Sequence, residues 1–407
     1  MNALRSLLVC VLLLAACATP PREAAAPPPV LILVSIDGFR TDYIDRGLTP
    51  TLSSLAEGGV RADAMRPSFP SVTFPNHYTL VTGLRPDRHG IVNNTMVDPT
   101  RPDAVFKLSD RVEATNPFWW EGAAPLWVTA EAKGVRTATM FWPGSEVAIR
   151  GVRPRDWLPF NQAMPSQARV DQVLAWMERP AQERPRFVTL YFDIVDTQGH
   201  VFGPDSAEVN AALGEVDAAM ASLVAGLKAR GVAADLVVVS DHGMAAVGPE
   251  RSIDLDALVA PDAITVPWMA GYLLGVTPVA GREAAVEAAL LGRRGPMECW
   301  RKRELPERFA FGASPRIPPI VCLPDTGWTI VSAARPSRYA SKGAHGYDPQ
   351  HPDMGAVFVA NGPSFRAGAR VPPFDNVHVY PLLTHILGVA PEPNDGDLAV
   401  LKPALRP

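Results

Sequence analysis

The chain has no surplus of positive charge. Its 38 Lys and Arg stand against 42 Asp and Glu, a net of -4. The basic footprint of a nucleic-acid binder is therefore missing, and no specific nucleic-acid partner is expected. There is no internal repeat. No apolar run is long enough to span a bilayer in the mature chain: Leu7 to Leu14, preceded by Arg5, is too short and reads as an export signal covering residues 1–16. Cysteine is scarce, with four residues. Proline is the reverse case. Its 42 residues exceed the usual share of about 5% and fall mostly in long connections, which predicts a loop-rich periphery.

The end of the export signal, Leu14-Ala15-Ala16-Cys17, resembles the bacterial lipoprotein box, in which cleavage precedes a cysteine that then carries lipid. That resemblance implies a lipidated Cys17, an Ala/Pro-rich tether over residues 17–29, and an envelope lipoprotein facing the periplasm, anchored in a membrane. The plainer alternative is ordinary cleavage after small residues, with Cys17 a bystander. Cys10 leaves with the signal, so Cys299 and Cys322 remain for an oxidising compartment. A disulfide between them is expected, against the alternative of two buried free thiols.

With 47% hydrophobic and 20% charged residues, the composition is that of a globular protein able to bury a large core. Val30 to Ile36 is apolar enough for a strand covered on both faces. Phe187 to Phe192, Leu236 to Val239 and Ala356 to Ala360 are further strand candidates. Helices are predicted from Thr49-Pro50 to Gly58-Gly59, around Val170 to Met177, from about Ser206 to Arg230, and over Val379 to Leu387. Helix followed by strand recurs, the habit of a parallel α/β sheet. From about 254 to 342 the pattern changes to short elements, prolines and a basic cluster, Arg293-Arg294 and Arg301-Lys302-Arg303. Glu298, Glu304 and Glu307 interleave with it, so it reads as a solvated face.

Three of the strand candidates end next to residues that bind metals or protons. Asp37 closes the first, before Gly38. Asp196 and His200 follow the second, four apart, a spacing that turns both side chains to one point on a helix. Asp241 and His242 close the third, before Gly243. Carboxylate and imidazole together suit zinc. Taken singly, each has a plainer reading: a helix cap for Asp37, a capping carboxylate or hydrogen-bonded histidine for the pairs. Thr73, between Pro70 and Pro75, reads alone as a loop residue.

Read together, the segments resemble the nucleotide pyrophosphatase/phosphodiesterase family of the alkaline phosphatase superfamily, over nearly the whole mature chain. The resemblance is carried by Ser35-Ile36-Asp37-Gly38-Phe39-Arg40, Thr73-Phe74-Pro75-Asn76-His77-Tyr78, and His89-Gly90-Ile91-Val92-Asn93-Asn94-Thr95-Met96. It continues through Phe141-Trp142-Pro143-Gly144-Ser145-Glu146, Asp196-Thr197-Gln198-Gly199-His200, Ser240-Asp241-His242-Gly243-Met244 and Gly343-Ala344-His345-Gly346. Glu298-Cys299-Trp300 and Pro315-Arg316-Ile317-Pro318 resemble the family's insertion before its last metal histidine. Val195 departs from the family, where many relatives carry proline.

The resemblance implies an alkaline-phosphatase-like α/β/α sandwich with a mostly parallel central sheet, one catalytic domain over 30–400 and an insertion over about 254–342. It implies one zinc held by Asp196, His200 and His345, and a second held by Asp37, Asp241, His242 and the oxygen of Thr73. Thr73 becomes the nucleophile and Asn94 a donor to a phosphate oxygen.

Within the superfamily, the sulfatase cysteine of Cys-x-Pro-x-Arg is absent. The lysine and arginine that threonine-type monoesterases place on phosphate are absent from Phe141 to Glu146. The expected activity is hydrolysis of nucleotide diesters or pyrophosphates to nucleoside monophosphates, through a phospho-threonine, with Phe74, Trp157 and Phe160 as candidate walls for the base. Alternatives within enzymes are lipid or choline-headgroup diesters, or monoesters. Outside enzymes, the alternative is a surface-tethered binding protein.

Overall fold

Strand β1, Val30–Ile36, is buried along its whole length, which a two-sided apolar run predicts. Its residues alternate between two cores: Leu31 and Leu33 join one, Val30, Ile32, Val34 and Ile36 the other. The computed structural model describes residues 28–269, 272–334 and 341–407. The expected export signal 1–16, Cys17 and all but the last two residues of the 17–29 tether lie outside them. Among the described residues, no helix is long and apolar enough to cross a membrane.

The central sheet has eight strands: β1, β2 (Val60–Ala62), β3 (Thr137–Met140), β4 (Asp156–Trp157), β5 (Phe187–Phe192), β6 (Ala234–Val239), β7 (Phe358–Asn361) and β8 (Ala369–Val371). Their order is β8-β2-β7-β6-β1-β5-β3-β4. Only β7 runs antiparallel to its neighbours. Helices α1 (Pro50–Glu57), α3 (Ser166–Met177) and α5 (Ala207–Ala229) pack on one face, and α2 (Thr73–Thr82) and α6 (Val379–Leu387) on the other. This is the expected α/β/α sandwich.

Of the apolar stripe that predicts α5, Val209, Leu213, Val216, Met220, Leu223 and Leu227 are buried and Val224 is half-buried at its edge. Ser206 caps its start, its Oγ accepting from the Val209 N–H, and Gly231 follows at φ 60°. Trimming one of these side chains, Leu213→Ala for example, would cost about 2–5 kcal/mol.

The short elements within 254–342 form a second, five-stranded antiparallel sheet. Its order is Ile264–Met269, Leu274–Pro278, Ile320–Pro324, Met297–Arg301, Gly292–Arg294. It has its own core, including Leu274, Val276, Val286, Leu290, Met297 and Ile320. Cys299 and Cys322 face each other in the register and are disulfide-bonded. The basic cluster is paired on the surface, Arg301 with Glu287 and Glu304, and Arg293 with Asp325. Phe309 stacks on Phe69 with ring centres 4.2 Å apart, tying the insertion to the segment that leads into α2.

Candidate active site

Because β6, β1 and β5 are adjacent and parallel, their C-terminal ends open side by side. That edge is where open α/β sheets place chemistry. Asp37 follows β1 directly. Gly38 then turns with φ 67°, and a Cβ there would meet the Asp196 Cα at 2.9 Å, so both conformation and space require glycine. After β5, helix α4 (Ile194–Phe202) sets Asp196 and His200 one turn apart on one face. After β6, Asp241 and His242 point into the same space as Asp37.

Thr73 is not in a loop, as its flanking prolines suggest, but is the first residue of α2. Pro75 is tolerated because the first-turn N–H groups have no intrahelical partner. His345 arrives from beyond the insertion. Gly343–Ala344 pairs antiparallel with Ala245–Ala246, which brings it beside His242 with the two rings stacked at 3.5 Å.

Two groups of ligand atoms result, Asp196/His200/His345 and Asp37/Asp241/His242, each within 4.8 Å. In the first, His200 Nε2 is 3.1 Å from His345 Nε2 and 3.5 Å from an Asp196 oxygen. In the second, His242 Nε2 is 3.0 Å from Asp241 and 3.5 Å from Asp37. Thr73 Oγ1 lies 3.4 Å from His242 Nε2.

The surroundings suit a cation. All three histidines place Nδ1 against a backbone carbonyl: His200 on Gly343, His345 on Ser71 and His242 on Gly243. With the proton on Nδ1, each Nε2 lone pair faces the centre, the arrangement that metal-binding histidines adopt. Asp37 Oδ1 and Asp196 Oδ1 are buried with no hydrogen-bond partner, and Asp241 Oδ2 faces only imidazole nitrogens, of His242 at 3.0 Å and His77 at 3.3 Å. Such oxygens are costly unless a cation meets them. Burial first, and then the neighbouring carboxylates, push the Asp37 carboxyl well above the usual range, and burial raises that of Asp196 against the pull of His200 and His242. Burial opposes the charge of Asp241 too, but His242 and His77 beside it hold its carboxyl well below the usual range. The His345 imidazole is pushed well down by burial and by the other histidines, so it stays neutral.

Several supporting residues are not evident from sequence. Tyr191, in β5, donates its hydroxyl to Asp37 Oδ2 at 2.7 Å. His77, one turn beyond Thr73 in α2, is fully buried with Nδ1 2.9 Å from the Thr73 carbonyl and 3.3 Å from Asp241, and Nε2 2.8 Å from Ser35 Oγ. Tyr272, from the insertion, stacks on His345 at 5.4 Å. A signal existed only for His77, which falls at i+4 from Thr73 once α2 is known.

Asn94 lies beside α2. Its Oδ1 accepts the Phe74 N–H at 2.8 Å, which turns Nδ2 the other way. Phe74 is partly buried against Phe106 and Trp120, with ring centres 5.9 and 6.0 Å away. Phe160 is half-exposed and packs on Phe141 and Tyr191. Trp157 pairs instead with the Arg153 guanidinium, 5.4 Å from its ring centre.

Paired Asp/His clusters at the strand ends of an α/β/α sandwich, with a hydroxyl beside one, define a metal-dependent hydrolase of the alkaline phosphatase superfamily. Residues 31–348 match the type I phosphodiesterase/nucleotide pyrophosphatase family, and the chain belongs to it. These are hydrolases of phosphodiester and pyrophosphate bonds.

The chain is 39% identical over 381 residues to an uncharacterized pyrophosphatase/phosphodiesterase of Schizosaccharomyces pombe, covering 90% of this chain and 78% of that one. It is 37% identical over 388 residues to ectonucleotide pyrophosphatase/phosphodiesterase family member 1 of Mus musculus. That match covers 92% of this chain but 42% of the mouse protein, so the chain spans less than half of that relative. Among solved structures, murine ectonucleotide pyrophosphatase/phosphodiesterase 5 superposes with a TM-score of 0.88 at 32% identity, covering 93% of this chain and 100% of that one. The same murine protein is known as an inactive threonine-to-alanine form in complex with AMP, with the same TM-score and coverage.

Proposed function

We propose that this protein hydrolyses nucleotide diesters or pyrophosphates to nucleoside monophosphates through a covalent intermediate on Thr73, within one catalytic domain over about 30–400. The observation that carries this is the placement of Thr73 Oγ1 at the start of α2, 3.4 Å from His242 Nε2 and beside the Asp37/Asp241/His242 group. The AMP complex of an inactive threonine-to-alanine relative supports it.

Asp37, Asp241, His242 and Thr73 would hold one zinc, and Asp196, His200 and His345 the other. When bound, zinc lowers the pKa of a coordinated hydroxyl or water and offsets phosphoryl charge. Thr73 Oγ1, its proton given up to the departing group, attacks phosphorus, forming the O–P bond as the bond to the departing oxygen breaks and leaving a nucleotidyl-threonine. Water then attacks that diester, its oxygen bonding to phosphorus as the Thr73 O–P bond breaks, which releases the nucleoside monophosphate and returns a proton to the Thr73 hydroxyl. Asn94, its Oδ1 fixed by Phe74 N–H, directs Nδ2 to a non-bridging phosphate oxygen. Tyr191 and His77 hold Asp37 and Asp241 in place.

A diester has one charge fewer than a monoester and one organic substituent more. The wall at Phe141 to Glu146 agrees with that, since it supplies no Lys or Arg and its Trp142 donates its indole N–H to the His77 carbonyl. Phe74 is the first candidate to stack on the base and Phe160 the second. Trp157 would need to leave Arg153 to join them.

We also propose export to an oxidising compartment, in keeping with the 299–322 disulfide. The relatives named above are eukaryotic, so anchoring through Cys17 rests on the Leu14 to Cys17 junction alone. The kinetic test compares an aryl nucleotide diester with an aryl phosphate. A kcat/KM at least about tenfold higher for the diester is expected, and a preference for the monoester would replace this reading with a phosphatase.

A further inference from the structure

Arg316 leaves the insertion and enters the catalytic body, where its side chain is only 12% exposed. Its Nε donates to Asp98 Oδ2 at 2.8 Å. Nη1 donates to the carbonyls of Gly90 at 2.8 Å and Trp119 at 2.9 Å, and Nη2 to that of Phe118 at 3.3 Å. The guanidinium also lies over the Phe118 and Trp119 rings, at 5.3 and 5.0 Å. Only a planar fork can satisfy acceptors in so many directions; an ammonium cannot.

The base of the side chain is fixed as well. Asp87 accepts from the N–H groups of Ala313 and Ser314, and Lys302 Nζ donates to the carbonyls of Ser314 and Ile317. At the far end, a Cβ on Gly90 would meet Nη1 at 3.2 Å, so the glycine leaves room for the guanidinium.

Gly90 and Asp98 bracket Asn94, four residues from each. Between these two clamped points, Asn94 is joined to the nucleophile's helix by Phe74 N–H, and its carbonyl accepts from the Leu108 N–H at 3.1 Å. The second segment that Arg316 grips, Phe118 and Trp119, leads directly into Trp120, which packs on Phe74. One side chain of the insertion therefore holds both stretches of chain around Asn94 and Phe74.

We propose that Arg316 is a positioning residue, through which the insertion sets the phosphate-oxygen donor Asn94 against Thr73. The proposal rests on the role given to Asn94 above. It also assigns the insertion a part in the reaction beyond delivering His345.

The test is a double-mutant cycle, with kcat/KM on an aryl nucleotide diester and the melting temperature read for each protein. Arg316→Lys keeps a positive charge opposite Asp98 and is the decisive variant, with Arg316→Met a more severe one. In the otherwise native enzyme Arg316→Lys should lower kcat/KM on the order of tenfold or more, since a displacement of about 1 Å can cost a hundredfold. In the Asn94→Ala background the same change should cost less than about twofold, because the group it positions is gone. Equal losses in both backgrounds, or no loss in the native one, would overturn this proposal alone. Asn94→Ala without effect would overturn it together with the assignment of Asn94.

Discussion

The Nε2 atoms of His200 and His345 lie 3.1 Å apart, and each ring has its Nδ1 against a backbone carbonyl. With the protons on Nδ1, the two Nε2 lone pairs point at each other, which is unfavourable unless a cation lies between them and the nearby Asp196. The Asp37, Asp241 and His242 group has the same character, with Asp37 Oδ1 buried and unpartnered.

Metal content follows from this. The purified protein, loaded with zinc and desalted, should carry two ions per chain by elemental analysis. A chelator should abolish turnover and lower the melting temperature, because ligand binding to the folded state adds stability that is lost with the ligand. An unchanged melting temperature on chelation would argue against both sites.

Tyr191 gives a second prediction. Tyr191→Phe removes only the hydroxyl that donates to Asp37 Oδ2. Outer-shell partners of metal ligands typically matter by about 10- to 100-fold in metal affinity or activity, so a fall of that size in kcat/KM is expected, with the fold intact by circular dichroism. Wild-type kinetics would remove Tyr191 from the site.

His89 gives a pH dependence outside the metal centre. It is fully buried, Nδ1 accepting from the Ile91 N–H and Nε2 facing the Pro75 carbonyl and Thr79 Oγ1, and burial pushes its pKa down to about 3. The unfolded chain takes up this proton below about pH 6.5, while the folded chain does not. The unfolded state therefore binds more protons between about pH 3 and 6.5, and stability falls as the pH drops through that window. At pH 5 the loss amounts to about 2 kcal/mol relative to neutral pH. Denaturant titrations at pH 7 and 5 should show that loss reduced by a similar amount in His89→Gln. The other titrating groups are shared by the two proteins and cancel.

Much of this site was legible in the sequence because its carriers are regular. Asp37, Asp241 and the Asp196/His200 pair each follow a strand whose apolar run is unmistakable, and spacing alone suggested a common face for Asp196 and His200. Thr73 was harder. Proline on either side signals a loop, yet proline is also accepted in the first turn of a helix, where α2 uses it. Tyr191 gave no signal, since in a buried strand an aromatic reads as core. Apart from its family-like segments, the insertion shows only as broken periodicity, because its strands are short and gain their core from one another. Arg316 stood out only as part of a family segment, and its four acceptors come from residues about 200 or more positions away.

The account turns on Thr73, and Thr73→Ala tests it most directly. The variant should keep its fold and bind zinc, yet lose nearly all turnover of an aryl nucleotide diester. Wild-type enzyme quenched in acid during turnover should carry one nucleotidyl adduct on the peptide containing Thr73. Activity above about a tenth of wild type in the variant, or an adduct on another residue, would contradict the nucleophile assignment.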